Sequence, residues 1–252
     1  MRLGYDGSAY SGWQRQPNAI TVQQVIEEEL SKLQNEKTTI LGCGRTDRGV
    51  HATEFFAHFE TWDVIDEVTI LFKINNMLPK DIRIEKLFEV SDKLHARYSA
   101  TSRSYIYTLA RTKPLLDRNY VYRYYYYHKL DIDAMKAAAA IVAQYSEFDP
   151  FCKTGTDVRT KTCIISESKI VVDDEQGRIE YHVSANRFLR GMVRLLTGMI
   201  LHVGIGKVQL EEVHQAFKDQ SRLKFDWSVP AWGLRLSKVC YPEDLLDPKH
   251  LI

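Results

Sequence analysis

The hydrophobic pattern of the chain predicts strands and helices in an order that partly repeats from about residue 111. Each half is predicted to contain strands and helices that must bury one apolar face against each other. The sequence therefore predicts an α/β (α+β) fold of two similar lobes. Each lobe is expected to be a mainly antiparallel sheet with helices packed on one face, and an active-site cleft is expected between the lobes. The predicted domains are an N-terminal lobe, 1–110, and a C-terminal lobe, 111–252.

The individual elements follow from residue spacing and from helix-capping signals. Thr21 and Gln24 form a capping box, after which apolar residues up to Leu33 fall on one helical face. Further helices are expected over 68–78, 131–144 and 186–204. Strands are expected over 38–43, 52–60, 81–90, 102–111, 120–127, 162–172 and 178–186.

Composition excludes several classes of protein. The chain has 252 residues, 44% of them hydrophobic, which is enough for substantial cores. No apolar run approaches the roughly 20 residues that cross a bilayer, and the first residues lack a signal-peptide core, so we expect a cytoplasmic protein without a membrane partner. The cysteines are scattered without zinc-site spacing, so neither a disulfide framework nor a structural zinc is indicated. They are Cys43, Cys152, Cys163 and Cys240.

Charge is nearly balanced over the whole chain, with 34 Lys and Arg against 33 Asp and Glu, but it is uneven along the sequence. Between Arg97 and Arg123 the basic residues are opposed only by Asp117, and five tyrosines are interleaved with them. Such a mixture suits RNA phosphates and unpaired bases. The alternative is a strand pair whose tyrosines cover a sheet and whose arginines are merely solvated. Arg187, Arg190 and Arg194 also share one row of the predicted helix 186–204, as a phosphate contact or as a solvated face.

The sequence GRTDRGVHA, residues 44–52, holds Asp47 between Arg45 and Arg48 in a loop that joins two predicted strands. Several interpretations remain open. Asp47 and His51 could bind a metal, although Gly49 argues against the helix that would bring them together. Asp47 and Glu54 could form a glycosidase pair. A lone nucleophilic Asp47 is a further possibility, because a nearby guanidinium opposes the rise in carboxyl pKa that burial causes. A surface ion pair of little energetic value is the plainest interpretation.

Motifs distributed along the whole chain resemble the TruA family of tRNA pseudouridine synthases. The RTD-x-GVHA element is the most specific of them, and the others occur in the family's order. The motifs are YDGSAYSGWQRQPNAITVQ (5–23), GRTDRGVHA (44–52), HARYSATSRSYIY (95–107), FDPFCK (148–153), NRFLRGMVRLLTG (186–198) and GLRL (233–236).

The resemblance implies isomerisation of uridine to pseudouridine at positions 38, 39 and 40 of the tRNA anticodon stem-loop. It implies a homodimer that uses neither a cofactor nor a catalytic metal. Asp47 matches the catalytic aspartate, and Arg45 matches a residue that occupies the space left by the flipped nucleotide. Tyr105 matches the tyrosine that stacks on the target base and is a proposed proton acceptor, and Arg194 matches the arginine that pairs with the aspartate.

Physical reasoning supports this assignment, because the uracil must detach, rotate and rejoin, and therefore has to leave its stack. Tyr105 offers a flat surface for that base, although it could equally belong to the buried face of a strand. Arg48 and the short first strand depart from the family pattern. Two rival functions are a tRNA-binding protein that assists RNA folding and a nucleoside glycosidase that releases the free base.

Overall fold

The structure is a computed structural model that describes residues 1–61, 66–153, 155, 160–224 and 227–245. The chain divides into two compact units, Met1–Ser102 with Leu236–Ile252, and Arg103–Arg235. The sequence-based division into 1–110 and 111–252 differs from these units, because the last strand returns to the first unit. Residues 246–252 of the predicted second lobe lie outside the described residues.

In unit 1 the strands lie in the order β4-β1-β3-β9, and β1 pairs antiparallel with both β3 and β4. Helix α1 begins after Thr21, whose side chain accepts from the backbone N–H of Gln24, as the capping box predicts. The core between α1 and the sheet is fully buried and includes Leu3, Ile26, Leu30 and Phe55. The elements are β1 (Arg2–Tyr5), α1 (Val22–Gln34), β2 (Leu41–Gly42), β3 (His51–His58), α2 (Glu67–Met77), β4 (Ile82–Lys86) and β9 (Leu234–Cys240), of which the first two residues are counted with unit 2.

Unit 2 contains strands in the order β5-β8-β7, all paired antiparallel, with the short β6 parallel to β5. Tyr107 lies opposite Tyr181 in the β5–β8 register, and both side chains are buried. Helix α3 packs against β7, and α4 and α5 pack against α3. The elements are β5 (Ser102–Ala110), β6 (Tyr122–Arg123), α3 (Ile132–Val142), β7 (Ile165–Asp173), β8 (Arg178–Ala185), α4 (Met192–Gly204) and α5 (Leu210–Asp219).

The predicted class of two α+β lobes with mainly antiparallel strands is confirmed, and most predicted elements are present. The strand predicted over 120–127 is wrong beyond β6. Its residues do not alternate between two faces, since Val121 and Tyr124 are buried while Tyr125 and Tyr126 are exposed. Tyr124 instead stacks on Trp227, at a ring-centroid distance of 6.2 Å.

The helix predicted over 186–204 begins only at Met192. Gly191 stops its extension towards the N-terminus, because its backbone is left-handed with φ at +71°. Arg187 and Arg190 therefore precede the helix, and the predicted row of three arginines on one helix is wrong. The strand predicted over 38–43 is likewise reduced to the two residues of β2. Among the described residues, no helix combines the length and the apolarity needed to cross a membrane.

Candidate active site

Asp47 lies in the irregular loop between β2 and β3, as the sequence predicts. A turn follows it, in which the backbone N–H of Val50 donates to the carbonyl oxygen of Asp47 at 3.1 Å. Asp47 is half-buried, while the flanking Arg45 and Arg48 are exposed and Thr46 is buried. The loop thus presents a carboxylate at the boundary between protein and solvent, with two guanidinium groups beside it in sequence.

The segment from Tyr5 to Trp13 holds this loop through its backbone. The hydroxyl groups of Tyr5 and Thr46 are 2.9 Å apart and hydrogen-bonded. The N–H of Trp13 donates to the Thr46 carbonyl at 3.3 Å, and the N–H of Gly49 donates to the Tyr10 carbonyl at 3.3 Å. Because a loop lacks the repeating hydrogen bonds of a helix or ladder, these partners fix the backbone on both sides of Asp47.

Two glycines permit this close approach. A Cβ atom at Gly7 would lie 2.0 Å from the Val50 carbonyl oxygen. A Cβ atom at Gly12 would lie 2.3 Å from the Thr46 carbonyl oxygen, and φ of Gly12 is +89°, which side chains rarely adopt. The glycines of YDGSAYSGWQ are therefore required by the loop that carries Asp47.

His51 and Glu54 are occupied by structural contacts. Nδ1 of the buried His51 accepts from the backbone N–H of Gly7 at 3.0 Å and is 3.0 Å from Oδ1 of Asp6. Glu54 accepts from the N–H of Val239 at 2.8 Å and lies 3.5 Å from the guanidinium of Arg2. Within the described part of the chain, no group of three or more His, Cys, Asp or Glu side chains is placed to hold a metal ion.

Tyr105 lies on β5 in unit 2, opposite Val183 of β8. Its side chain is half-buried and meets the ring of Phe188 edge to face, at a centroid distance of 5.1 Å. Two positions along, Tyr107 is fully buried and donates from its hydroxyl to the Pro230 carbonyl at 2.9 Å. Burial raises the pKa of Tyr107, so its hydroxyl stays protonated and structural. Tyr105 is therefore the more accessible of the two rings.

Arg194 lies in the first turn of α4 and is half-buried in a helix whose other side chains are almost all buried. Its Nε–H donates to the Val229 carbonyl at 2.7 Å, and the N–H of Val229 donates to the Arg194 carbonyl at 3.3 Å. Gly198 allows the segment near Trp227 to approach, since a Cβ there would lie 1.8 Å from the Trp227 carbonyl oxygen. The sequence gives no sign of this support, because residues 227–230 carry no motif of their own.

The structure thus places Asp47 and Arg45 on one loop of unit 1, and Tyr105 and Arg194 on β5 and α4 of unit 2. The pairing of Asp47 with Arg194 stays a prediction.

A family model described as tRNA pseudouridine synthase matches residues 3–99 and 146–242. The chain belongs to the tRNA pseudouridine synthase family. The first match contains the Asp47 loop and the second contains Arg194, whereas Tyr105 lies between them.

Similar proteins span nearly the whole chain. This synthase is 40% identical over 246 residues to tRNA pseudouridine synthase A of Bacteroides thetaiotaomicron, which covers 97% of the chain and 91% of that relative. It is 39% identical to the protein of the same name from Porphyromonas gingivalis, over 96% of each chain. It is also 39% identical to tRNA pseudouridine synthase A 2 of Clostridium perfringens, over 96% of this chain and 98% of the relative.

Proposed function

We propose that this isomerase, which converts uridine in tRNA to pseudouridine, acts at positions 38, 39 and 40 of the anticodon stem-loop with Asp47 as its catalytic group. Family membership supports the coarser activity on tRNA. The assignment of Asp47 as the catalytic group is supported by the structure of its loop. The Asp47 side chain is half-buried there, and hydrogen bonds fix the backbone on both sides of it. We also propose a homodimer that works in the cytoplasm, where its tRNA substrate is found.

The reaction balances within the substrate. The bond between ribose C1′ and uracil N1 breaks, a bond between C1′ and C5 forms, the C5 proton leaves and N1 gains a proton. No oxidant, reductant or cofactor is required by this stoichiometry. Asp47 would supply a carboxylate, either as the nucleophile at C1′ or by addition to the base, and both routes need it ionised.

Tyr105, Arg45 and Arg194 have separate roles in the proposal. The Tyr105 ring would stack on the flipped uracil and hold it while it rotates. Its hydroxyl oxygen, after giving up its own proton, would accept the C5 proton. Arg45, which is exposed beside Asp47, would fill the space left in the RNA by the flipped nucleotide. Arg194 would pair with Asp47 and keep the carboxylate charged.

A position-resolved pseudouridine assay tests the proposal. The protein is incubated with unmodified tRNA that carries uridine at 38, 39 or 40, and with matched tRNAs that carry cytidine there. We expect pseudouridine at those positions in the uridine substrates and none there in the cytidine controls. Modification only elsewhere would contradict the proposed specificity. Release of free uracil would indicate a glycosidase, and binding without product would indicate an RNA-folding factor.

A further inference from the structure

A surface cleft of about 150 Å³ opens beside the Asp47 loop within unit 1. Gly44 and Arg45 of that loop form one part of its lining, and the segment from His95 to Tyr98 forms another. Among the described residues that line the cleft none is acidic, so its chemistry favours an anionic or neutral ligand. The remaining lining residues are Trp13, Gln14, Gln23, Ile40, Leu41 and Gly42.

Tyr98 presents an aromatic ring at this cleft. It is 76% exposed, and its ring centroid lies 4.4 Å from that of His95. The guanidinium carbon of Arg97 lies 5.6 Å from the same ring centroid. An exposed ring with a cation beside it is the combination on which proteins stack single-stranded bases while holding the phosphate.

The backbone N–H groups that follow His95 select one tautomer of its neutral ring. Its Nδ1 accepts from the N–H groups of Arg97 at 3.1 Å and Tyr98 at 3.3 Å. Because Nδ1 uses its lone pair in this way, the neutral ring carries its proton on Nε2. In the part of the chain that the structure describes, no protein group is placed to accept from that Nε2–H. His95 therefore offers a donor at the cleft that protein contacts leave available.

The surrounding turn is held rigidly. The backbone N–H of His95 donates to Ser99 Oγ at 3.0 Å, and the N–H of Ser99 donates to the His95 carbonyl at 2.9 Å. The N–H of Ala96 donates to Nδ1 of His58 at 3.1 Å, and burial, with a further contribution from His95, lowers the pKa of His58. These hydrogen bonds to His58, His95 and Ser99 fix the backbone from which Tyr98 projects.

We propose that this cleft binds one nucleotide of the RNA next to the target uridine. The base stacks on Tyr98, the phosphate lies near Arg45 and Arg97, and Nε2–H of His95 donates to an acceptor oxygen of that nucleotide. The inference rests on the proposed function, since the cleft shares Gly44 and Arg45 with the Asp47 loop. His95 is thus a substrate-positioning residue rather than only a support for its turn.

Two replacements of His95 separate these roles. In His95→Asn the side-chain oxygen can still accept from the N–H groups of residues 97 and 98, but the Nε2 donor is lost. In His95→Gln an amide N–H can reach the former Nε2 position, but the Nδ1 acceptor is lost. We expect His95→Asn to unfold near the wild-type temperature and to bind RNA roughly tenfold more weakly. His95→Gln should unfold earlier and yet bind RNA more tightly than His95→Asn.

Tyr98 provides a second, independent pair. Tyr98→Phe keeps the ring and should bind RNA within about twofold of wild type, whereas Tyr98→Ala should bind roughly tenfold more weakly. The dissociation constant is measured by fluorescence anisotropy on a labelled, unmodified anticodon stem-loop, with Asp47→Asn added to every protein so that no product forms. When Asp47 is kept, we expect His95→Asn and Tyr98→Ala each to raise KM by a larger factor than they lower kcat.

Wild-type affinity in His95→Asn and Tyr98→Ala would overturn the proposal, as would His95→Gln binding more weakly than His95→Asn. The proposed function fails in a different way, by the absence of pseudouridine at positions 38 to 40. If the wild-type enzyme modifies those positions and the variants also bind and react normally, the proposed nucleotide site is wrong while the proposed function stands.

Discussion

The loop that carries Asp47 and the helical turn that carries Arg194 are fixed by different kinds of contact. The loop depends on main-chain hydrogen bonds and on glycines that let two backbone segments meet, as at Gly12 and Thr46. Helix α4 supplies its own backbone partners beyond its first turn, and it is anchored by buried side chains. Its guanidinium is oriented by the Nε–H bond to the Val229 carbonyl.

This difference predicts different sensitivities in the two regions. The Asp47 loop forms its backbone hydrogen bonds with residues of another segment of the chain. A change in the main-chain geometry of that segment should therefore displace the loop. A buried helix tolerates such changes better, except where another backbone touches it, as at Gly198. The Arg194 side chain on this helix should instead respond to loss of an individual hydrogen-bond donor.

The largest expected effect is that of Asp47→Asn. The amide is nearly isosteric but neutral and cannot act as the nucleophile, so turnover should fall by more than about 10³-fold while RNA binding persists. Single-turnover pseudouridine formation and anisotropy measure the two quantities. Asp133→Asn is a matched control, because that carboxylate is 96% exposed on α3, and it should react normally. Ordinary turnover by Asp47→Asn would exclude this carboxylate from the chemistry.

The next effect tests how the loop is held. In Gly12→Ala the new methyl group meets the Thr46 carbonyl in a backbone conformation at positive φ, so the free energy of unfolding should fall by about 1–3 kcal/mol and turnover should fall with it. Gly44→Ala is the control, since among the described residues no atom beyond its chain neighbours lies within 4 Å of its Cβ position, and it should change stability by less than about 0.5 kcal/mol. Equal urea midpoints for the two variants would contradict a loop held by close backbone contact.

Arg194→Lys examines the helical region. Lysine lacks the planar fork, so a single ammonium group cannot keep the bond to Val229 and also meet a second partner. We expect kcat to fall by about 10- to 100-fold, with a small change in stability. Arg190→Lys, at an exposed residue before the helix, should leave kcat unchanged. Unaltered kinetics in Arg194→Lys would count against its proposed pairing with Asp47.

The smallest expected effect is on stability, and it concerns a polar network around Glu180 in unit 2. This network includes neither the Asp47 loop nor the start of α4. Glu180 accepts from His182 Nε2 at 2.8 Å, from Thr108 Oγ1 at 3.0 Å and from Arg235 Nη2 at 3.1 Å. The bond from His182, followed by those from Arg235 and Thr108, lowers the pKa of Glu180 from 4.5 to about 2.

Because the folded state holds this carboxylate ionised more strongly, the stabilisation is complete above about pH 4.5 and is lost as the pH falls towards 2. The stability difference between wild type and Glu180→Gln should therefore shrink over that interval. Urea unfolding at pH 7, 4.5 and 3 measures it. A difference that stays constant with pH would show that charge at Glu180 does not contribute.

Sequence patterns were sufficient to predict an element where the residues that specify it lie within the element or next to it. Helix α1 begins after Thr21 because that side chain caps its own first turn, and α2 and α3 likewise begin after Asp66 and Asp131. Strands β3, β4, β5, β7 and β8 follow from alternating or continuous apolar runs, and the Asp47 loop follows from the glycines before β3. Strand β9 is not among the predicted strands. These features are local, so the residues that specify them are close in sequence.

The tertiary structure decided which contacts form between segments that are distant in sequence. Tyr124 turns inward to stack on Trp227, which ends the strand that a run of tyrosines predicts, and Gly191 starts α4 too late to include Arg187 and Arg190. Val229 supports Arg194 by accepting a hydrogen bond from its Nε–H. Nδ1 of His95 accepts from the N–H of Arg97, which leaves the proton of the neutral ring on Nε2. Both features depend on hydrogen bonds between particular atoms. The sequence by itself determined which side chains carry charge, rings and capping groups. Only folding decided which of those groups are satisfied by protein and which stay available to RNA, because that depends on distances between atoms that local pattern does not specify.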